Sequence, residues 1–338
     1  MTPMTPEKLN SAVFGLFATH VLHLADKHDV FAHLPDAGSA PAEKIAVAAG
    51  VDAETLERML LVLCALDIVL REDGGYRLHA GYRPYLDRTS PLYLGSFLEH
   101  LVTSTSTKID RLDDYLRLGK VEADRGNPAP FAAIYATEDS TRRFLAAMWN
   151  LSFDVSHELV SLAGFHGTEH IVDVGGASGA FAVAALQAHP GLTVTVFDLP
   201  EVEPFLAETA RTHGLGDRLR FAAGNFFTDP LPAADCYSFG YILSDWTDET
   251  CASLLRNAYD SGSAGARVLI AERLFDEDRT GPLPTAVMNL SMHVETEGRH
   301  RTPEEYVRLL AGAGFPQGRV HRTTQDKHLV IGARPATD

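Results

Sequence analysis

The sequence lacks the features that mark several classes of protein. Cysteine is scarce: Cys64, Cys236 and Cys251 are too few for a disulfide framework and share no metal-ligand spacing. No basic segment followed by an apolar core begins the chain, and its longest early apolar stretch is too short to span a bilayer. We therefore expect neither a secretory signal nor a membrane segment. The cysteine usage predicts a reducing cytoplasm and no structural metal.

Positive charge is the second deficit. The 338 residues include 29 Lys and Arg against 45 Asp and Glu, which gives a formal net charge of −16. This balance disfavours non-specific binding to nucleic acid and to anionic membranes. The remaining composition, 45% hydrophobic and 22% charged, is typical of a globular protein. The length exceeds one average core and predicts two domains.

The first hundred residues have the pattern of a winged helix. Helices are predicted over 7–33, 39–50 and 52–69, followed by a hairpin over 68–79. Residues 1–100 contain eight basic against thirteen acidic side chains, so they lack the charge that DNA binding needs. The first helix is unusually apolar for an exposed helix. We expect an interaction module at residues 1–104 that forms a dimer contact.

Residues 105–160 are predicted to be connecting helices. Met148, Trp149 and Phe153 lie in an apolar part of this segment. They have two interpretations: ordinary core residues, or one wall of a pocket between domains, where ligand sites often lie.

From residue 169 onward, short apolar runs alternate with helical stretches. The predicted helices cover 180–189, 202–214 and 248–261. The apolar runs are "HIVDVGG", "TVTVFDL", "LRFAAGN", "CYSFGYIL" and "RVLIAER". This alternation is typical of a doubly wound, parallel sheet in an α/β domain, here residues 161–338. Two late runs, "GRVHRTT" and "KHLVIGAR", predict a terminal pair that adds an antiparallel edge strand.

Three glycines follow the first predicted strand of this domain. Gly175, Gly176 and Gly179 come directly before a helix, where glycine lets the backbone turn tightly and approach a ligand. The dinucleotide fingerprint also requires glycine at two positions that Ala177 and Ala180 occupy. A hydride-transfer enzyme is therefore the weaker interpretation.

Polar and aromatic residues at three strand ends supply the parts of an adenosine site. Asp173 comes two residues before the first glycine, and Asp198 ends the next strand. An acid at the second position can accept both hydroxyls of a ribose, although Asp198 could also only cap a helix. Asn225 and Phe226 follow the third strand and could bind and flank an adenine ring.

These segments resemble the S-adenosylmethionine-dependent small-molecule methyltransferases typified by plant caffeate and hydroxyindole O-methyltransferases and their bacterial relatives. The resemblance covers nearly the whole chain, through "VDVGGASG", "VFDLP", "GNFF", "SDWTDE" and "TEGRHRTPEEYVRLLAGAGF". It implies a homodimer with a Rossmann-like domain that binds S-adenosylmethionine. The resemblance and the pattern together predict these cofactor-binding residues: Asp173, Gly175, Gly176, Gly179, Asp198, Leu199, Asn225 and Phe226.

The stretch "SDWTDE" departs from the family at its first residue. Thr247 is expected to cap the helix that follows, which leaves Ser244 and Asp245 at the carboxyl edge of the sheet. The family usually has a histidine where this chain has Ser244, and that histidine takes a proton from the acceptor hydroxyl. A serine hydroxyl without an adjacent base cannot do so near neutral pH. One family acid is retained as Glu272, and His300 replaces the other.

Three interpretations remain open for the missing base. His300, supported by Glu272 or Asp245, could accept the proton, and His293 is a second candidate. Both histidines could instead be packing residues, and an already nucleophilic acceptor needs only correct positioning. The residues expected to contact the substrate are Met148, Trp149, Phe153, Ser244, Asn289 and His293.

The function predicted from the sequence is methyl transfer from S-adenosylmethionine to a small aromatic acceptor in secondary metabolism. A phenolic hydroxyl is favoured because it is the usual acceptor in the family, and the missing histidine makes N- or C-methylation the main alternative. A nicotinamide-dependent oxidoreductase and a winged-helix regulator are the rivals outside this class.

Overall fold

The computed structural model describes residues 6–127 and 131–336. The chain divides into two compact units, residues 1–106 and 107–338. Residues 1–5, 128–130 and 337–338, which the predicted segments include, lie outside the described residues. Among the described residues, no helix is both long enough and apolar enough to cross a bilayer.

The first unit consists of helices and one hairpin. Its helices are α1 (Glu7–Lys27), α2 (Val30–His33), α3 (Ala42–Ala49), α4 (Ala53–Ala65), α5 (Arg83–Leu86) and α6 (Gly95–His100); its strands are β1 (Val69–Glu72) and β2 (Gly75–Leu78). The helix predicted over 7–33 is interrupted at Asp29, whose φ of 56° ends the helical path. Asp52 caps α4 by accepting a hydrogen bond from the Thr55 N–H. Asp73 and Gly74 both have positive φ, as a tight hairpin turn requires.

The remaining helices begin at the boundary between the two units and continue through the second unit. They are α7 (Ser106–Ile109), α8 (Leu112–Leu118), α9 (Lys120–Ala123), α10 (Glu138–Ala163), α11 (Ala180–Ala188), α12 (Glu203–Thr212), α13 (Asp248–Ser261), α14 (Leu283–Glu295) and α15 (Pro303–Ala313). The long helix α10 begins with a capping box between Thr137 and Ser140. It continues three residues past the expected end of the connecting segment and packs on α11.

The second unit is built on a seven-stranded sheet. The strands are β3 (His170–Val174), β4 (Thr193–Asp198), β5 (Leu219–Ala223), β6 (Cys236–Gly240), β7 (Arg267–Glu272), β8 (Arg319–His321) and β9 (His328–Ala333). Their order is β5-β4-β3-β6-β7-β9-β8. Strands β3 to β7 are parallel, so their carboxyl ends form one edge. This confirms the predicted doubly wound sheet and places the ligand-binding edge at the ends of these strands.

The terminal strand pair differs in one detail from the prediction. Strand β9 is antiparallel to both β7 and β8, so the antiparallel strand lies one position inside the edge. The outermost strand, β8, has only three residues. A short β8 covers β9, whose Leu329 and Val330 are fully buried and need neighbours on both sides.

Candidate active site

The glycine loop after β3 packs too closely on its neighbours to carry side chains. A Cβ atom on Gly175 would lie 2.4 Å from Ile242 Cδ1, and one on Gly176 would lie 2.5 Å from Asp173 Oδ2. Gly179, at the start of α11, has a left-handed backbone with φ of 86°. The loop therefore leaves its bare backbone at the carboxyl edge, as close approach to a ligand requires.

Ala177 adopts a glycine-like conformation inside this loop. Its φ is 52°, in the left-handed region that alanine rarely occupies. Its N–H donates to Asp198 Oδ2 at 2.9 Å, and the Leu199 N–H donates to Asp198 Oδ1 at 2.7 Å. Two backbone donors thus orient the Asp198 carboxylate at the end of β4.

Two buried carboxyl groups adjoin the loop. Asp173 is 3% exposed and Asp198 is 6% exposed, and burial raises the pKa of each to about 6. The Ser238 hydroxyl donates to Asp173 Oδ1 at 2.5 Å. Because burial destabilises the charged form, each carboxylate would be stabilised by further donors from a ligand.

Asn225 and Phe226 follow β5 on the same edge. A Cβ atom on Gly175 would lie 3.6 Å from the Phe226 ring, so the loop and this ring adjoin. Phe226 also meets Phe227 edge to face, with ring centroids 4.6 Å apart. The Asn225 side chain is more exposed, and its Oδ1 accepts a hydrogen bond from the Phe227 N–H at 3.0 Å. The arrangement forms an aromatic wall with one amide at its rim.

Ser244 is buried and contacts an interior residue. The residue is 1% exposed, and its N–H donates to Glu272 Oε1 at 3.0 Å. Glu272, at the end of β7, is fully buried, and burial raises its pKa to about 7 against the opposing hydrogen bonds from Ser244. The expected contact between Ser244 and a substrate is therefore corrected: Ser244 holds Glu272.

His300 is also enclosed. It is 3% exposed, and its Nδ1 lies 4.0 Å from Glu272 Oε2. Burial, followed by the charge of Arg273 and to a smaller extent that of Arg301, lowers the pKa of His300 to about 3. An imidazole with so little affinity for a proton is a poor base, so the structure does not support His300 as the proton acceptor. Asn289 Oδ1 accepts a hydrogen bond from the His300 N–H at 2.9 Å, so Asn289 positions this residue.

Asp245 occupies a different environment. Protein encloses its carboxyl group, whereas the residue as a whole is only half-buried. Burial first, then the charges of Glu272 and Glu295, raises its pKa well above the ordinary range. Burial, followed by the charges of Asp198, Glu201 and Asp245, raises the pKa of the Tyr135 hydroxyl. No local pattern in the sequence indicated Tyr135.

Comparison with known proteins agrees with this geometry. Residues 111–316 match the model of the O-methyltransferase domain. The chain is 35% identical to acetylserotonin O-methyltransferase of Macaca mulatta over 91% of each chain. It is 32% identical to the tetracenomycin polyketide synthesis 8-O-methyl transferase TcmO of Streptomyces glaucescens, over 99% of this chain and 100% of that one. The crystal structure of human N-acetylserotonin methyltransferase in complex with S-adenosylmethionine superposes with a TM-score of 0.88, at 31% identity and full coverage of both chains.

The chain belongs to the O-methyltransferase family. It is a methyltransferase that uses S-adenosylmethionine, which confirms the expected enzyme class and cofactor. The residues at the carboxyl edge fit this cofactor. A side chain at Gly175 or Gly176 would collide with Ile242 or Asp173 and distort the loop, and the oriented carboxylate of Asp198 suits a ribose diol.

A second loop of the methyltransferase holds residues 243–248 in place. Arg301 is fully buried; it donates to the carbonyl oxygens of Leu243 and Trp246 at 2.7 and 2.9 Å and to Asp248 Oδ1 at 2.8 Å. A Cβ atom on Gly298 would lie 2.1 Å from the Ser244 carbonyl oxygen. We call residues 296–302 the clasp and residues 243–248 the lip. The clasp lies within the motif "TEGRHRTPEEYVRLLAGAGF", but no pattern in the sequence indicated the roles of Gly298 and Arg301.

His293 lies at the surface of α14. Its ring is 5.7 Å from that of Tyr115, and its carbonyl oxygen accepts a hydrogen bond from Lys120 Nζ at 2.6 Å. The residue is exposed, so the structure gives it no catalytic environment like that of Asp245. Within the described residues, no group of three or more His, Cys, Asp or Glu side chains is arranged to hold a metal ion.

The aromatic residues of α10 have packing roles. The rings of Trp149 and Phe153 stack with centroids 4.6 Å apart, and Trp149 stacks on His213 at 5.6 Å. Phe153 is buried, whereas Met148 is half-buried. Of the two interpretations left open for these residues, the core interpretation matches Phe153.

Proposed function

We propose that this methyltransferase acts on the phenolic hydroxyl of a small aromatic acceptor in cytoplasmic secondary metabolism. The carboxyl group of Asp245 carries the proposal: it lies at the lip beyond the carboxyl end of β6, in a half-buried residue, and has a raised affinity for protons. A hydroxyl acceptor must lose a proton as it is methylated, and Asp245 can take it where Ser244 cannot. The names of both relatives, which specify O-methylation, support the same chemistry.

Each residue then has a distinct task. The bound S-adenosylmethionine supplies an electrophilic methyl group on its sulfonium. The glycine loop, Asp173 and Asp198 bind and orient it. Asp245 accepts the proton, while the charge of Glu272, which Ser244 holds, helps raise the pKa of Asp245. Correct positioning of the acceptor supplies much of the remaining acceleration.

The pH dependence follows from the direction of the Asp245 shift. A carboxyl group accepts a proton only in its ionised form, and the pKa of Asp245 lies above the ordinary range. The rate should therefore rise with pH through this raised pKa and level off above it.

The test is Asp245→Asn, assayed against phenols and matched aromatic amines. The expected result is a fall in kcat/KM for the phenol of about 10²-fold or more, loss of the rising pH limb, and nearly unchanged affinity for S-adenosylhomocysteine. Glu249→Gln, an exposed acid in the first turn of α13, is the matched control. An unchanged rate would remove Asp245 as the base, and methylation of the amines alone, located by mass spectrometry, would contradict O-methylation.

We also propose that the first unit mediates homodimerisation through α1. Its exposed apolar side chains are Leu9, Val13, Phe14, Leu16 and Phe17, each between 56% and 67% exposed. A helix with such a surface needs a partner, and contiguous apolar patches mark interaction sites. Sedimentation should give a dimer for the natural protein and a monomer for Phe14→Asp/Phe17→Asp. A natural protein that sediments as a monomer would contradict this assignment.

A further inference from the structure

Lys327 is a buried cation that has no part in the proton transfer proposed for Asp245. It comes directly before β9 and is 4% exposed. Its Nζ lies 3.3 Å from the Ser152 hydroxyl on α10 and 4.0 Å from the centroid of the Tyr241 ring. Lysine is rarely so enclosed unless its charge has a partner.

The end of β6 makes room for this ammonium group. A Cβ atom on Gly240 would lie 3.2 Å from Lys327 Nζ, closer than side chains ordinarily approach. The next residue, Tyr241, has a φ of 55°, which costs a non-glycine residue about 1 kcal/mol or more. The backbone at the end of β6 therefore carries strain where the Tyr241 ring meets the ammonium group. Strain of this kind is typical of ligand sites.

The charges around Lys327 are mainly acidic. Burial lowers the pKa of Lys327 to about 8, while Glu272 and Asp173 act to raise it and Arg273 to lower it further. The ammonium group is therefore mostly protonated at neutral pH. Among the described residues, neither Asp173 nor Glu272 forms a direct ion pair with Nζ. A positively charged group that has no direct carboxylate partner among the described residues thus lies near two acids.

Lys327 also adjoins the glycine loop. Ile242, two residues after Gly240, approaches the Cβ position of Gly175, and Asp173 approaches that of Gly176. The amino-acid end of S-adenosylmethionine carries an ammonium group and a carboxylate on one carbon atom. Such a zwitterion needs an anion and a cation side by side, which Asp173 and Lys327 provide.

We propose that Lys327, oriented by Ser152 and the face of Tyr241, binds the α-carboxylate of S-adenosylmethionine. The Lys327 ammonium and the Asp173 carboxylate then bind opposite charges of the same amino-acid group. Gly240 leaves space for this ammonium group, since a side chain there would press on it. This role depends on cofactor use and is independent of which acceptor is methylated.

The experiment compares two ligands in calorimetry without any acceptor. S-adenosylmethionine and decarboxylated S-adenosylmethionine differ only in the α-carboxylate. Lys327→Met should weaken S-adenosylmethionine by about 10²-fold, the effect of losing one charge-assisted hydrogen bond in a buried site, and should change the decarboxylated ligand much less. Lys44→Met, at an exposed position on α3, is the matched control and should change neither affinity.

Equal weakening of both ligands would overturn the proposal and leave Lys327 as a neutraliser of the buried acids. Circular dichroism shows whether Lys327→Met folds. If it does not, Ser152→Ala gives the same test, because it loosens the ammonium group and leaves its charge in place. The expected result is a loss of about 3- to 10-fold for S-adenosylmethionine alone. The proposal would be overturned if the natural protein bound the two ligands with equal affinity, or if Ser152→Ala weakened the binding of both equally.

Discussion

The two halves of the carboxyl edge are assembled in different ways. On the cofactor side, the ends of β3, β4 and β5 present residues next to each strand, and backbone amides of neighbouring loops orient Asp198. At the lip, the groups that fix the catalytic edge come from far along the chain: Glu272 bonds Ser244, and Arg301 bonds Leu243.

This difference separates binding from chemistry. The cofactor side consists of short local motifs whose geometry follows from the strand end and its glycines. The conformation of the lip depends on contacts with distant segments, namely the clasp and the end of β7. Substitutions in the clasp should therefore affect catalysis and stability more than cofactor affinity. Substitutions in the loop after β3 should affect cofactor affinity more than catalysis and stability.

The largest expected effect is at Arg301. Arg301→Met leaves the carbonyl oxygens of Leu243 and Trp246 without their donor and removes the partner of Asp248. We expect unfolding in urea to show a loss of about 3 kcal/mol or more, together with loss of turnover. Arg308→Met, which removes an exposed pair on α15, should change stability by about 0.5 kcal/mol or less. A folded, active Arg301→Met variant would show that the lip holds its own shape.

Gly298→Ala tests the clasp without removing a charge. The new Cβ atom would lie within 2.3 Å of three backbone atoms of the lip, so the lip must move. We expect kcat/KM to fall by about 10²-fold, because small displacements of catalytic groups are costly, with the affinity for S-adenosylhomocysteine nearly unchanged. Gly312→Ala has open space and is the control. A large loss of cofactor affinity would break the distinction between the two halves.

Asp198→Asn tests the cofactor side. We expect cofactor affinity to fall by about 10²-fold, because a charged acceptor of ligand hydroxyls is lost.

Asp198 should also make stability depend on pH, because its pKa of about 6 in the folded protein exceeds its pKa in the unfolded chain. The carboxyl group therefore stabilises the fold most at a pH below its unfolded pKa, and this stabilisation is lost as the pH rises toward and through 6. The free energy of unfolding of the natural protein, relative to Asp198→Asn, should therefore fall by about 1 kcal/mol or more between pH 5 and pH 7.5. A constant difference across this range would contradict the raised pKa.

The smallest effect is expected at Ala177. Ala177→Gly removes the strain of a left-handed alanine, which stabilises the folded state. It also increases the conformational entropy of the unfolded chain, which destabilises the fold by a similar free energy. We expect the stability measured in urea to change by less than about 1 kcal/mol, with kcat/KM nearly unchanged. Ala182→Gly, inside α11, should instead destabilise by about 1 kcal/mol. A large loss of cofactor affinity in Ala177→Gly would show that the alanine shapes the loop.

Much of the fold could be predicted because its signals are local. Alternating strands and helices indicated the sheet, and Thr247 and Thr302 cap α13 and α15 as their sequence patterns indicate. The break at Asp29 was missed, because the apolar pattern continues through it. The position of β9 inside the sheet was also missed, since strand order depends on pairing between distant segments.

The sequence by itself determined the class of enzyme and predicted where the cofactor binds, because a glycine loop and acids at strand ends need only one parallel sheet to bring them together. Only the tertiary structure decided the proton affinities of the polar residues around the lip. His300 and Asp245 both looked suitable as polar residues near the edge, but burial lowers the proton affinity of the first and raises that of the second. The direction of each pKa shift follows from the charge of the ionised form. The size of the shift depends on the enclosure and the neighbouring charges that the fold assembles.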